Sequence, residues 1–175
     1  KIPDTKTTRI ICRSGSTVDL NDLGIVNPYD SRSIIILSPE GSDPDISVIK
    51  TILALTNNSK RRPEPYHIVA EISDHKNKEV AEMIASGEVT LVHTEDLISR
   101  VIAQSCRQSG LSIVYTELLD FDGDEIYFQE EPGLTGKTFK DAVMSYEDST
   151  IIGIRSKDGA IKINPPMETK IASGD

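Results

Sequence analysis

Short apolar runs alternate with longer segments of helical periodicity through the first two thirds of the chain. The runs at residues 33–37, 66–72 and 89–92 are too short for helices and rich in β-branched side chains, so they predict buried strands. Helices are predicted at a stripe formed by Ile46, Ile49, Ile52 and Leu53, at residues 76–85 and at residues 94–109. Asp43 or Asp45 is expected to cap the first of these helices. Strands that alternate with helices indicate a parallel α/β sheet with right-handed crossovers.

The start of the chain carries a related but incomplete pattern. Residues 10–12 predict a short buried strand, followed by a turn at Ser14-Gly15-Ser16 and a short helix that ends at Gly24. No GxGxxG sequence occurs, although a Rossmann-like unit carries that loop after its first strand. We therefore expect the chain to begin at the third strand of such a unit, with its N-terminal strands missing. The phosphate-binding loop then lies outside the chain or is absent from the protein.

After Gly110 the pattern changes to short elements. A helix is predicted at residues 113–119, strands at 125–129, 151–154 and 162–164, and a brief helix at 139–144. Asp158-Gly159 is a hairpin signal. The predicted fold class is α/β, a partial Rossmann-like parallel sheet followed by a small α+β lobe. The predicted parts are residues 1–109 with the crossover helix, a helix-turn connector at 110–123, and the lobe at 124–175.

Composition and charge exclude several classes of protein. No apolar run approaches the roughly 20 residues of a membrane-spanning helix, so the chain is expected to be soluble, and no secretory leader opens it. The net charge of −9 argues against a nucleic-acid partner. The single basic run, Lys60-Arg61-Arg62, is expected in an exposed loop, and Cys12 and Cys106 are expected as reduced thiols in a core.

Residues 111–128, LSIVYTELLDFDGDEIYF, carry a family resemblance that extends through most of the chain. Together with the blocks at 9–38, 67–77 and 162–166 (KINPP), they resemble the regulatory part of CASTOR/POLLUX-type ion channels, a branch of the TrkA-like RCK domains. The resemblance implies a non-enzymatic domain on the cytosolic side of a cation (potassium-type) channel. It also implies regulation by Ca²⁺ and self-association through the crossover helices, as a dimer or a gating ring. A fragment of a nucleotide-dependent oxidoreductase is the alternative, since Rossmann-like sheets serve both classes.

Two groups of residues are candidates for binding. Ser14, Gly15 and Ser16 follow a predicted strand and open a predicted helix, where free N–H groups hold anions, although serine is also an ordinary helix cap. By resemblance these three residues line a nucleotide or ion pocket. Asp120, Asp122, Asp124 and Glu125 place four carboxylates within six residues, and Glu131 stands at position 12 of an EF-hand-like count. Position 6 holds Glu125 instead of glycine, so the run is not an EF-hand. It is either a Ca²⁺ site completed by a neighbouring subunit or a solvated acidic turn.

A weaker group of candidates follows the second predicted strand. Glu71 and Asp74 are the next metal candidates, and Asp74-His75 stands at the ligand-facing edge of a parallel sheet. His67, His75 and His93 lack metal-ligand spacing, and His93 with Glu95 and Asp96 begins a helix. No Ser–His–Asp or Cys–His set has suggestive local context, so no catalytic residue is predicted.

Overall fold

The computed structural model describes residues 7–41, 43–85, 87–120 and 125–175. The chain forms two compact units, Lys1–Ser112 and Ile113–Asp175. Within the described ranges, no helix combines the length and apolarity required to cross a lipid bilayer.

The first unit contains the predicted parallel sheet. Strands β1 (Ile34–Ile36), β2 (Ile68–Ile72) and β3 (Val89–His93) lie in the order β1-β2-β3, and both neighbouring pairs are parallel. All three strands were predicted from their β-branched apolar runs, and the α/β fold class is confirmed. Parallel pairing brings the carboxyl ends of the strands to one edge of the sheet, where ligands bind in folds of this type.

Four helices accompany this sheet: α1 (Leu20–Ile25), α2 (Pro44–Thr56), α3 (His75–Ala85) and α4 (Thr94–Arg107). α2 and α3 bury their apolar sides in the core with the strands. The buried side of α2 contains Val48, Ile52 and Leu55, whereas Ile46 of the predicted stripe is 46% exposed. The buried side of α2 is therefore rotated about the helix axis relative to the predicted stripe. Val48 and Leu55 pack in the core together with the predicted Ile52.

β1 forms one edge of the described sheet, since β2 is its only named partner there. Ile35 and Leu37 alternate with the inward-facing Ile36 and are each 72% exposed. Beside them, side chains of α1, β1 and α2 line an open groove of about 400 Å³.

The predicted strand at residues 10–12 is wrong. These residues belong to no strand, Ile11 is 58% exposed and Cys12 is exposed. Apolar β-branched residues favour an extended chain, but a strand forms only where a neighbouring strand accepts its hydrogen bonds. Cys106 is also exposed, so the expectation of two core thiols fails as well.

The basic run is not a fully exposed loop either. Arg61 is half-buried and contacts Glu88 at 2.8 Å, while Arg62 donates to the carbonyl of Ser31 at 2.9 Å. The Arg62 guanidinium lies 4.8 Å from the ring centroid of Tyr66. Burial acts to raise the pKa of Glu88, but the Tyr66 N–H and the Arg61 guanidinium bring it below its ordinary value. The two arginines thus stabilise the segment that immediately precedes β2.

The second unit contains α5 (Leu111–Leu119, which begins just before the boundary), α6 (Phe139–Val143) and an antiparallel hairpin of β4 (Gly153–Arg155) and β5 (Ile161–Ile163). The predicted Asp158-Gly159 pair lies in the turn between β4 and β5. Gly159 has φ +87°, a conformation that favours glycine. Leu134, Ala142 and Ile171 form its buried cluster.

The predicted strand at residues 125–129 is wrong for the same reason as the first. These residues are exposed and belong to no described strand. The Arg155 guanidinium lies 4.6 Å from the centroid of the Phe128 ring, so Phe128 makes a cation–π contact.

Candidate functional site at the carboxyl end of the sheet

The carboxyl ends of the three parallel strands place polar side chains along one edge. Ser38 follows β1, Ser73 and Asp74 follow β2, and His93 is the last residue of β3. This edge contains the Glu71–Asp74–His75 group that the sequence singled out. It also contains Ser38, which sequence reasoning missed, and Asp45, which the sequence indicated only as a possible cap of α2.

Asp45 joins the start of α2 to the end of β2. Its Oδ1 atom accepts the Ser73 N–H at 2.9 Å, and its Oδ2 atom accepts the Asp74 N–H and the Asn77 side-chain amide, each at 2.9 Å. The residue is only 3% exposed. Burial acts to raise the pKa of Asp45, but these three hydrogen bonds and the charge of His93 outweigh it and lower the pKa. An internal carboxylate therefore occupies the N–H groups of Ser73 and Asp74, the two residues between β2 and α3.

Glu71 and Asp74 lie at this edge, but each is engaged with the backbone. The Glu71 Oε2 atom accepts the Ser38 N–H at 2.9 Å, and the Asp74 Oδ1 atom accepts the Lys76 N–H at 2.9 Å. The hydroxyl of Ser38 is buried and has no hydrogen-bond partner among the described residues. Among those residues, no three His, Cys, Asp or Glu side chains come together as a metal site. The structure therefore brings Glu71 and Asp74 to one edge without making them ligands of a common ion.

The two histidines of this edge are in contact. The rings of His75 and His93 are 5.9 Å apart between centroids and meet edge-on at 73°. The His93 Nδ1 atom accepts the Asp96 N–H at 3.1 Å and so caps α4. The His93 Nε2 atom is buried and lacks a hydrogen-bond partner in the described part of the chain. The sequence indicated that His93 begins a helix, and nothing in the sequence indicated its contact with His75.

The side chain of Asp22 binds the serine-glycine turn near the start of the chain. The Ser16 N–H donates to the Asp22 Oδ2 atom at 2.8 Å, and a Cβ atom on Gly15 would lie 3.0 Å from the Asp22 Cβ. The cap of α1 is Asp19, whose side chain accepts the N–H groups of Asn21 and Asp22, so the expectation of a serine cap from Ser14–Ser16 is wrong. An anion at Ser14, Gly15 and Ser16 would meet a carboxylate.

The acidic run is only partly described. Asp122 and Asp124 lie outside the described residues. Asp120 follows α5 and Glu125 accepts a hydrogen bond from the Tyr127 hydroxyl, and both residues are exposed. Glu131, at position 12 of the EF-hand-like count, instead accepts the Gly133 N–H at 3.3 Å and caps a 3₁₀ turn.

α4 and α5 present apolar surfaces in their respective units. No residue of either helix is buried within the described chain. On α4, Ile98 and Ile102 are 57% and 58% exposed, and on α5, Ile113 and Leu119 are 71% and 75% exposed. Apolar surface of this extent on two successive helices is typical of a surface that another chain covers.

Comparison with known proteins identifies relatives along the whole chain. Residues 95–175 match the family described as Castor and Pollux, part of voltage-gated ion channel. The ion channel CASTOR of Lotus japonicus is 34% identical over 98% of this chain and 20% of its own length. The ion channel POLLUX of the same organism is 33% identical over 96% of this chain and 18% of its own length. The chain thus spans about a fifth of the curated relatives it matches.

A solved structure supports the fold. The human SLO3 gating ring superimposes with a TM-score of 0.68 over 93% of this chain and 34% of that chain, at 20% sequence identity. At 20% sequence identity, this structural similarity establishes the fold alone.

Proposed function

Because the chain belongs to the family of CASTOR and POLLUX ion channels, we propose that it is a regulatory domain that senses a ligand or an ion and biases a cation-conducting pore. The similarity along 98% of the chain carries this proposal, and the gating-ring fold agrees with it. The relatives are named as ion channels, which favours this function over the oxidoreductase fragment. A domain of this kind acts by binding its ligand more tightly in one conformation of the assembly than in another. It would lie on the cytosolic side of the membrane.

Self-association is the first part of the proposal. The exposed apolar faces of α4 and α5 support pairing through the crossover helices, because burying such surface in a partner removes it from water. We expect a dimer or larger oligomer by light scattering at about 50 μM, a concentration that saturates a dissociation constant of about 1 μM.

Charged substitutions on α4 test the surface. Ile98→Glu with Ile102→Glu should give a monomer, because two carboxylates would have to be buried in the interface. Val80→Glu is the matched control, since Val80 is 47% exposed and belongs to α3, a different helix from those of the proposed surface. A strictly monomeric wild-type chain contradicts this part of the proposal, and so does a double variant that associates as the wild type does.

Binding of Ca²⁺ is the second part. The net charge of −9 and the carboxylates of Asp120, Asp122, Asp124 and Glu125 support it, because Ca²⁺ prefers six to eight hard oxygen ligands. A linear acidic run is not a rigid cage, so water, backbone carbonyls or another subunit would complete the coordination. At a free Ca²⁺ concentration of ten times Kd, the free energy of unfolding should rise by about 1.4 kcal/mol.

Paired substitutions locate the ion. Asp122→Asn with Asp124→Asn should abolish the rise in Tm, whereas Glu147→Gln with Asp148→Asn removes two neighbouring charges of the same unit and should preserve it. A rise that survives the first pair places the ion elsewhere, with Glu71 and Asp74 as the next pair to substitute. If millimolar Ca²⁺ changes neither Tm nor oligomeric state, the cation proposal fails.

The third part is the absence of redox catalysis. The sequence contains no GxGxxG loop and no evident acid–base pair, so we expect no hydride transfer from nicotinamide or flavin substrates. The purified chain should leave NADH absorbance unchanged. Turnover that disappears with Asp74→Asn or His75→Asn would restore the oxidoreductase alternative.

A further inference from the structure

α4 begins with an unusual cap. Its N-cap residue is His93, whereas helices usually begin with Ser, Thr, Asp or Asn. The His93 Nδ1 atom accepts the Asp96 N–H at 3.1 Å, so this atom presents a lone pair and the ring proton resides on Nε2. Of the common cap acceptors, only an imidazole loses its lone pair between pH 5 and 8.

Charged and titratable groups from three helices surround the His93 ring. From α2, the buried carboxylate of Asp45 interacts electrostatically with it. From α3, the ring of His75 lies 5.9 Å away. From α4 itself come Glu95 and Asp96 of the first turn, and Asp96 is paired with Arg100 at 2.7 Å.

The surroundings of the His93 ring act on its protonation in both directions. The lowered pKa of Asp45 keeps its carboxylate ionised in mildly acidic solution, where it stabilises a positive imidazolium nearby. The buried Nε2 atom has no described hydrogen-bond partner, so its desolvation opposes a positive ring. A positive ring at the start of α4 is opposed by the helix dipole, whose N-terminal end is also positive.

We propose that protonation of His93 removes the cap of α4 and thereby makes the stability of the first turn of this helix dependent on pH. The added proton occupies Nδ1, which changes from an acceptor to a donor and can no longer bind the Asp96 N–H. α4 has no buried residue in the described chain, so no buried apolar side chain of its own compensates for loss of the cap. Mild acid therefore loosens the first turn of α4, the helix on which we also propose self-association.

Amide exchange measured by NMR tests the switch at the residue that receives the cap. After correction for intrinsic exchange, protection of the Asp96 amide should fall about fivefold between pH 7.5 and pH 5.5, the factor that loss of one cap implies. His93→Asn supplies a cap that does not titrate, so its protection should be the same at both pH values. His67→Asn is the matched control, because His67 is exposed and its Nδ1 atom contacts Ser33 away from α4, so the fivefold fall should persist.

The readout is local to the start of α4, so it does not depend on channel function. Protection of Asp96 that is constant with pH in the wild type overturns the proposal. A fall of equal size in His93→Asn overturns it too, since some other group would then be titrating. His75→Asn leaves the cap in place, so the fall must persist in that variant, and its loss would assign the titration to His75.

Discussion

Asp45→Asn perturbs the hydrogen-bond junction between α2 and β2 with almost no change in shape. The carboxylate uses one oxygen for the Ser73 N–H and the other for the Asp74 N–H and the Asn77 amide. An asparagine has one acceptor oxygen and one NH₂ group. Whichever way its amide turns, at least one of the three donors faces another donor.

The expected loss of stability is large for the replacement of a single oxygen atom by an NH₂ group. A buried N–H without a partner costs about 1–3 kcal/mol, and the remaining bonds lose the assistance of the negative charge. We therefore expect the free energy of unfolding to fall by about 3 kcal/mol, which lowers Tm by about 6–12 °C in a chain of this size. Because Asp45 is 3% exposed, solvent does not substitute for the lost bonds.

Urea unfolding followed by circular dichroism measures the loss of unfolding free energy in Asp45→Asn. Repeating it at several pH values tests whether the loss comes from the ionised carboxylate. The pKa of Asp45 is lowered by folding, so its contribution is present above the pKa of the unfolded chain and disappears as pH falls through the folded value. The difference between wild type and Asp45→Asn should be full at about pH 7 and shrink toward about pH 3.

Asp43→Asn is the matched control, because Asp43 stands at the cap of the same helix, is exposed, and makes no side-chain cap bond. It removes the same charge near the same helix end without disturbing the three bonds. If the two variants lose equal stability, the charge near the helix and not the hydrogen-bond junction is responsible. A difference that does not change with pH would refute the role assigned to the ionised carboxylate.

Two further substitutions test the remaining parts of the fold. Glu88→Gln should lower the free energy of unfolding by about 1–2 kcal/mol in urea titrations at neutral pH, because it weakens the contacts with Arg61 and the Tyr66 N–H. Folding lowers the pKa of Glu88, so the difference between the variant and the wild type should vanish in acid. Gly153→Ala should destabilise the β4–β5 hairpin by about 1–3 kcal/mol in thermal unfolding, because the new Cβ would lie 2.5 Å from the Lys162 carbonyl oxygen. Gly24→Ala, with no atom within 4 Å of the new Cβ, should be neutral or stabilising, and an equal loss in both glycine variants would contradict the steric argument.

The sequence predicts those elements whose signal is local and whose partner is also predicted. The runs of β1, β2 and β3 are apolar, β-branched and separated by helical segments, so their identity and parallel arrangement follow together. The β4–β5 hairpin was predicted for a similar reason, because Asp158-Gly159 favours the turn that pairs the two strands. The runs at 10–12 and 125–129 have the same local preference for extended structure, but neither belongs to a described strand.

The site was less predictable because its contacts join distant positions. Asp43 or Asp45 was expected to cap α2 locally, whereas the partners of Asp45 lie 28–32 residues further along the chain. Ser16 and Asp19 are equally good caps by composition, and in the structure Asp19 caps α1 while Asp22 accepts the Ser16 N–H. The acidic candidates Asp122 and Asp124 lie outside the described residues, so the Ca²⁺ site remains a prediction.

The exposed edge of β1 has a practical consequence for anyone who purifies this chain. Within the described residues β1 pairs with a strand on one side only, and two of its neighbouring apolar side chains, Ile35 and Leu37, are each 72% exposed. Such an edge is a template on which other extended chains can add. Concentrated samples should therefore form irregular, slowly growing aggregates by strand addition, a process distinct from the defined oligomer expected on α4. Ile35→Lys would place a charge on that edge and should extend the storage life of the sample while leaving the defined oligomer unchanged.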